Sequence, residues 1–210
     1  MTASLDPTLK GSEARLWKLI EERMKPGTDT KALDERIWDL FGEDWAVVAT
    51  DLAGFSRRVT EFGIIHFLQV IYEHKKLVFP IVEARDGLLV KAEADSLLLL
   101  FKRADVALSC AIEMQHACQQ LNLRRVPEEQ VLLCVGIGYG RLLRVGETDI
   151  YGEEVNAASK LGEDTAKAGE ILVTQAVKDR VAELANLTFT SIPAVVGCSS
   201  PYRVSYPPIP

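Results

Sequence analysis

Two hydrophobic runs in this chain end in an aspartate, and that restricts the fold more than any other feature. Trp45-Ala46-Val47-Val48-Ala49-Thr50 closes on Asp51, which opens the turn Leu52-Ala53-Gly54-Phe55-Ser56. Leu88-Leu89-Val90-Lys91-Ala92-Glu93-Ala94 reaches Asp95, and Ser96 leads into Leu97 to Phe101. Such runs read as buried strands. An unpaired acid at the tip of a buried strand carries a desolvation penalty of several kcal/mol. A divalent cation with oxygen ligands removes that penalty, and two such ions can drive phosphoryl chemistry.

The chain has 210 residues, 48% hydrophobic and 26% charged, enough for one domain with a substantial core. Its net charge of −6 argues against a nucleic-acid partner, which would need a basic face. No apolar run approaches the roughly 20 residues that span a bilayer. Residues 1–11 lack the basic-then-apolar pattern of a secretion signal, so the expected location is cytoplasmic and off the membrane. Cys110, Cys118, Cys134 and Cys198 show no metal-ligand spacing and read as small core residues.

Residues 12–24 and 30–41 read as amphipathic helices, with Lys25-Pro26-Gly27-Thr28 between them and Thr30 as the expected cap. They form an N-terminal helical extension over residues 1–43, ahead of a domain over 44–206. From Asp51 the pattern runs through Gly54 into helix, then a longer helix at 64–83. The turn Asp86-Gly87 precedes strands at 88–93 and 96–101. Residues 103–121 are helical. Residues 130–138 and 141–145 read as a hairpin tightened by Gly138 and Gly140. A helix over 153–166, a strand near 169–174, a helix to Leu184 and two weak strands complete the chain. The order is βαββαβ, an α+β ferredoxin-like sandwich with helices expected on one face of the sheet.

Several residues in this frame could carry chemistry. The turn from Asp51 to Ser56 sets an acid beside backbone amides entering a helix, which suits phosphate oxygens, and Gly54 admits a ligand closely. A helix N-cap explains Asp51 alone equally well. Asp95 occupies a tight strand turn in which Ala94 fits poorly if its φ is positive. Lys91 interrupts an apolar strand and, unless it lies on a solvent face beside Glu93, needs a partner. Asn156 and Lys160 share one helix face, an amide and an ammonium suited to ribose and developing phosphate charge. A polar helix face accounts for them too.

Taken together, five segments resemble the catalytic domain of the class III nucleotide cyclases, the adenylate/guanylate cyclase family. They are Asp51 to Ser56, Lys91 to Phe101, Gly136-Ile137-Gly138-Tyr139-Gly140, Asp149 to Lys160, and Ala168 to Val173. The resemblance runs from about Trp45 to Leu184. It implies a head-to-tail homodimer whose active sites lie between subunits. Asp51, Asp95 and the Leu52 carbonyl of one subunit would hold two Mg2+ or Mn2+ ions, with Gly54, Phe55 and Ser56 beside the phosphates. Lys91 and Asp149 of the other subunit match base-reading positions, Asn156 the ribose-positioning residue, and Lys160 the place of an arginine that stabilises the transition state.

The chain departs from that family at several places. Ala94 replaces a usual glycine. Cys134 stands where many relatives carry an arginine, and Val196-Gly197 where a late lysine would serve the triphosphate. Arg57, Arg58, Arg141 and Arg144 are candidates to compensate. A lysine donor with an aspartate acceptor matches adenine, and cytosine presents the same pattern. The expected activity is therefore conversion of a nucleoside triphosphate, ATP favoured, to a 3′,5′-cyclic nucleotide and pyrophosphate. A pyrimidine cyclase using CTP or UTP in bacterial antiphage signalling stays open. So do a degenerate cyclase fold that binds nucleotide without turnover and an unrelated ferredoxin-like interaction domain.

Overall fold

A computed structural model of the chain describes residues 11–208, apart from the side chains of residues 55–58. Two helices, α1 (Ser12–Arg23) and α2 (Thr30–Phe41), come first. They pack through Leu16, Leu19, Leu33, Ile37 and Phe41. Arg23 clamps Asp34 with two bonds of 2.6 and 3.0 Å. The cap of α2 is Asp29 rather than Thr30: its carboxylate accepts the Ala32 amide at 3.1 Å, and a carboxylate one residue before the helix reaches that amide directly. The apolar seam of the pair takes in Leu143 and Val145 further along the chain, so the helices rest on the domain.

The elements that follow are β1 (Gly42–Leu52), α3 (Phe55–Phe62), α4 (Ile64–Glu83), β2 (Leu88–Glu93), β3 (Ser96–Phe101), α5 (Ala104–Asn122), β4 (Leu133–Val145), β5 (Asp149–Tyr151) and α6 (Glu153–Ser159). Then come β6 (Ile171–Val173), α7 (Gln175–Arg180), β7 (Thr188–Ser191) and β8 (Tyr202–Ser205). The sheet order is β2-β3-β1-β4-β6-β8-β7, with β5 folded onto β4. Strands β2, β3, β1 and β4 pair antiparallel and make the βαββαβ sandwich; β6 then adds parallel to β4.

Strand β1 is covered on both faces. Ala46 and Val48 enter the main core with Phe67, Val78, Leu108 and Met114 of α4 and α5. Trp45, Val47 and Ala49 enter a second core with Leu142, Val155 and Ala158. Helices therefore lie on both faces, not one. The cause is local: an unbroken apolar strand has no polar face to leave in water.

The residues expected to form a hairpin at 130–145 form one continuous strand. β4 pairs with β1 from Gly42↔Leu143 to Leu52↔Leu133 without a break. Its glycines are there for helix packing. A Cβ on Gly136 would strike the Ala158 carbonyl oxygen and the Gly162 amide nitrogen, and one on Gly138 would strike the Glu154 carbonyl oxygen. A Cβ on Gly162 would strike the Ala49 carbonyl oxygen and lie 2.8 Å from the Gly136 nitrogen. Backbone thus packs on backbone between α6 and the two central strands.

The helix expected over 153–166 changes character at Ser159. Residues Lys160–Thr165 form a π-helical turn, a widening that often marks functional sites. The Thr165 hydroxyl donates to the Lys160 carbonyl at 2.8 Å, and the Ala166 amide to the Leu161 carbonyl at 2.8 Å. Helix α7 ends at Arg180, short of Leu184. All four cysteines are free and buried. No helix among the described residues is long and apolar enough to cross a membrane.

Gly136→Ala should lower stability by about 1–3 kcal/mol, the usual range for forcing a methyl into a packed site. Gly140→Ala should cost less, because its new carbon meets the Glu154 side chain rather than backbone. Urea denaturation of both variants measures the difference; equal losses would contradict the packing argument.

Candidate active site

Strand β1 carries its buried run up to Thr50, which is fully buried. The Thr50 hydroxyl accepts the Leu97 amide at 3.2 Å, which ties the end of β1 to the start of β3. That bond fixes the β2–β3 turn, with Asp95 at its tip, against the end of β1. Glu93 pairs with Ser96 across a two-residue turn, and Ala94 takes φ of 48° there. A left-handed alanine is strained by roughly 1 kcal/mol. The Ser96 hydroxyl donates to Asp51 Oδ1 at 3.3 Å.

The two acids are brought together by this construction. Asp95 is 6% exposed, and its Oδ2 is buried without a hydrogen-bond partner. Burial, and then the negative charge of Asp95, raise the Asp51 carboxyl from 3.8 to about 6. The Leu52 backbone and Ser96 hydrogen bonds act against the rise. Two adjacent carboxylates of which one oxygen has no donor form an acceptor-rich pocket. Their oxygens are the kind of donor that a hard divalent cation such as Mg2+ or Mn2+ takes. Among the described residues no three His, Cys, Asp or Glu side chains converge as a ligand set. A cation here would complete its shell with oxygens from elsewhere.

Gly54 precedes α3 with φ of 84°, the left-handed region that suits glycine, and no side chain caps the helix. The side chains of Phe55, Ser56, Arg57 and Arg58 lie outside the described residues.

Lys91 and Asp149 also meet, their Nζ and Oδ1 3.3 Å apart. The register between β2 and β3 shifts between Leu89 and Lys91, a bulge that re-aims a side chain at a strand edge. Asn156 projects from α6 and is exposed. Lys160, four residues on, bonds Asp164 at 2.8 Å. No hydrogen bond or ion pair found among the described residues joins Asn156 or Lys160 to the Asp51–Asp95 pair.

Two of the suggested compensating arginines, Arg141 and Arg144, serve elsewhere. Arg141 Nη2 donates to the Trp38 carbonyl at 3.0 Å, and the guanidinium sits 5.4 Å from the Trp38 ring centre. Arg144 lies 5.2 Å from the Trp45 ring centre. Arg141 pairs opposite Asp44, at the end of β1 remote from Asp51, which explains why neither reaches the acids. Cys134 pairs opposite Asp51. Burial, and then the Asp51 charge, push its thiol up to about 12, so it supplies neither a cation nor a thiolate.

Two acids escaped the sequence reading. Glu154 Oε2 accepts the Tyr139 amide at 2.9 Å and the Thr174 hydroxyl at 2.7 Å, bracing α6 on the sheet. Glu163 stands in the π-helical turn with its carboxyl raised by burial and by Asp164, Glu93 and Asp95, against a Ser159 hydrogen bond. The run Gly162-Glu163-Asp164 was the available signal, since a glycine between a helix and two acids breaks the helical pattern.

Residues 43–195 match the family model described as the adenylate and guanylate cyclase catalytic domain. The chain belongs to that family. Its fold is similar to an adenylate/guanylate cyclase/hydrolase from Silicibacter pomeroyi, with a TM-score of 0.65 and 29% identity over 78% of this chain and 95% of the other. It is similar also to the adenylyl cyclase CyaB from P. aeruginosa, with a TM-score of 0.66 and 22% identity over 78% of this chain and 94% of the other. Among curated proteins, the serine/threonine-protein kinase pkn2 of Myxococcus xanthus is 29% identical over 136 residues, 64% of this chain. The chain spans only 16% and 24% of the two curated relatives it matches.

In this cyclase domain the raised Asp51 carboxyl makes a pH prediction. From 3.8 up to about 6 the unfolded chain has lost a proton that the folded chain keeps. Stability from this group therefore falls as pH rises through that window and levels off above it. Asp51→Asn cannot ionise. With chelator present, its Tm should gain on the wild type as pH rises from about 4 to about 6. A constant Tm difference across that range would show that the Asp51 carboxyl is not raised.

Proposed function

We propose that this domain converts a nucleoside triphosphate, ATP in first place, to its 3′,5′-cyclic nucleotide and pyrophosphate, in a head-to-tail homodimer. The observation that carries this reading is the Asp51–Asp95 pair, with the Asp95 Oδ2 buried and unpartnered. Asp51, Asp95 and the Leu52 carbonyl would hold Mg2+ or Mn2+. When bound, the ions would supply Lewis-acid activation of the ribose hydroxyl and neutralise phosphate charge.

The remaining work falls to this chain's side chains. The Asn156 amide orients the ribose so that the 3′-oxygen faces the α-phosphorus. A bond forms between that oxygen and phosphorus, and the bond from the α-phosphorus to the bridging oxygen breaks. Pyrophosphate leaves with the electron pair, and the hydroxyl proton passes to solvent. The Lys160 ammonium faces the charge that builds on the phosphate oxygens. Lys91 donates to a ring nitrogen of the base and Asp149 accepts from its exocyclic amine. Among the described residues no bond joins Asn156 or Lys160 to the acid pair within one chain, and this supports a site divided between two copies.

Adenine and cytosine offer Lys91 and Asp149 the same pattern, so CTP is the nearest alternative substrate. A second reading, nucleotide binding without turnover, draws on the engagement of Arg141 and Arg144 away from the acids. Incubation with ATP, GTP, CTP and UTP in Mn2+, with products resolved by mass spectrometry, decides among them. A cyclic product from ATP is expected; saturable nucleotide binding with no cyclic product would establish the second reading.

Asp51→Ala and Asp95→Ala should each abolish turnover and leave dimerisation unchanged. Mixing inactive Asp51→Ala with inactive Asn156→Ala subunits should restore one working site per heterodimer. Cyclic nucleotide formation measured against mixing ratio reads this directly, and no recovery at any ratio would refute a shared site.

A further inference from the structure

Lys160 is not a free cation on a flexible stem. Its Nζ bonds Asp164 at 2.8 Å, and its own carbonyl accepts the Thr165 hydroxyl at 2.8 Å. The turn that carries both residues is π-helical and closes through the Ala166 amide on the Leu161 carbonyl at 2.8 Å. Gly162, between them, lies against the Ala49 carbonyl and the Gly136 amide so closely that no side chain fits. The backbone under the pair is thus pinned to the two central strands.

An exposed i,i+4 ion pair on an ordinary helix adds little to stability, at most about 0.5 kcal/mol. Side-chain exposures of 41% for Lys160 and 60% for Asp164 place this pair in that class. Stability therefore gives no reason for so well anchored a pair, whereas orientation does. A lysine ammonium has three rotatable N–H donors and no preferred plane. With one donor held by Asp164, the other two are confined to a cone that points away from that carboxylate.

We infer that Asp164 is a positioning residue for Lys160, fixing where its two remaining N–H groups point when the ammonium meets a phosphate. The inference rests on the role proposed for Lys160. It adds that a lysine needs this anchor, whereas an arginine, which grips phosphate oxygens through a rigid two-pronged fork, would not.

The test is a set of variants assayed for cyclic product with Mn2+-ATP. Asp164→Asn should lower kcat about tenfold and leave KM unchanged, the pattern of lost orientation in the transition state. Asp164→Glu should recover part of the loss. In a Lys160→Arg background, Asp164→Asn should cost less than about threefold, because the guanidinium orients itself. Independently of activity, Lys160 should be acetylated faster in Asp164→Asn than in wild type, read by peptide mass spectrometry. An unchanged or higher kcat in Asp164→Asn, with Lys160→Ala inactive, overturns the inference and leaves the proposed function standing. An equal loss in the lysine and arginine backgrounds assigns Asp164 a structural role and overturns it also. Full turnover in Lys160→Ala removes the role of Lys160 itself, and the inference with it.

Discussion

A strand sealed on both faces can carry an acid only at its end, and the candidate site follows from that constraint. β1 is buried from Trp45 to Thr50 between two separate cores. Asp51 is the first position past that sealed run that is not fully buried. The Thr50–Leu97 hydrogen bond then decides what that neighbour is, because it sets the β2–β3 turn, and Asp95 with it, beside the strand end. The Asp95 charge beside it raises the affinity of Asp51 for a proton, and two carboxylates held together favour a cation. The fold does not relieve this conflict with Arg141 or Arg144, which are spent on Trp38 and Trp45. It leaves the conflict open, which is what a site for a divalent ion requires.

The second determinant is the absence of side chains. Gly136, Gly138 and Gly162 let α6 and its π-helical extension approach β1 and β4 at backbone distance. The Glu154 carboxylate then locks α6 in rotation by bonding Tyr139 and Thr174 at once. With the inner face of α6 fixed by Val155 and Ala158, Asn156 is left on the outside. The exposed polar face is therefore rigidly aimed, although nothing among the described residues covers it.

Much of this was legible in the residue pattern, and the misses share one cause. The strands at 88–93 and 96–101 and the helix at 64–83 have the observed bounds, because a turn signal or a change of period marks each end. The pairing of the two acids was legible because both end apolar runs. Gly138 and Gly140 were misread as turn glycines. A glycine in a strand marks either a bend or a close backbone approach, and only the tertiary packing shows which. The same ignorance hid the π-helical turn, which depends on contacts of Gly162 with residues 49 and 136, far away in sequence. Glu154 looked like one more acid on a helix start, since its partners lie 15 and 20 residues distant. Arg141 was judged by charge alone, and strand register then carried it to the wrong end of β1.

The two lysines proposed to meet the ligand share an arrangement that bears on how such a site would work. Each is satisfied by an aspartate of its own chain: Lys91 by Asp149 at 3.3 Å and Lys160 by Asp164 at 2.8 Å. All four side chains are partly exposed, and pairs of that kind are worth at most about 1 kcal/mol. Each ammonium keeps two N–H donors beyond the one on its aspartate, and a nucleotide bringing several negative charges can engage them at small cost. The same reasoning separates them from Arg141, which is held by a carbonyl and an aromatic face together and would have to leave both. Self-pairing through one donor keeps a lysine in place without committing the others, and a group that must hold still before the ligand arrives and face it afterwards needs that property.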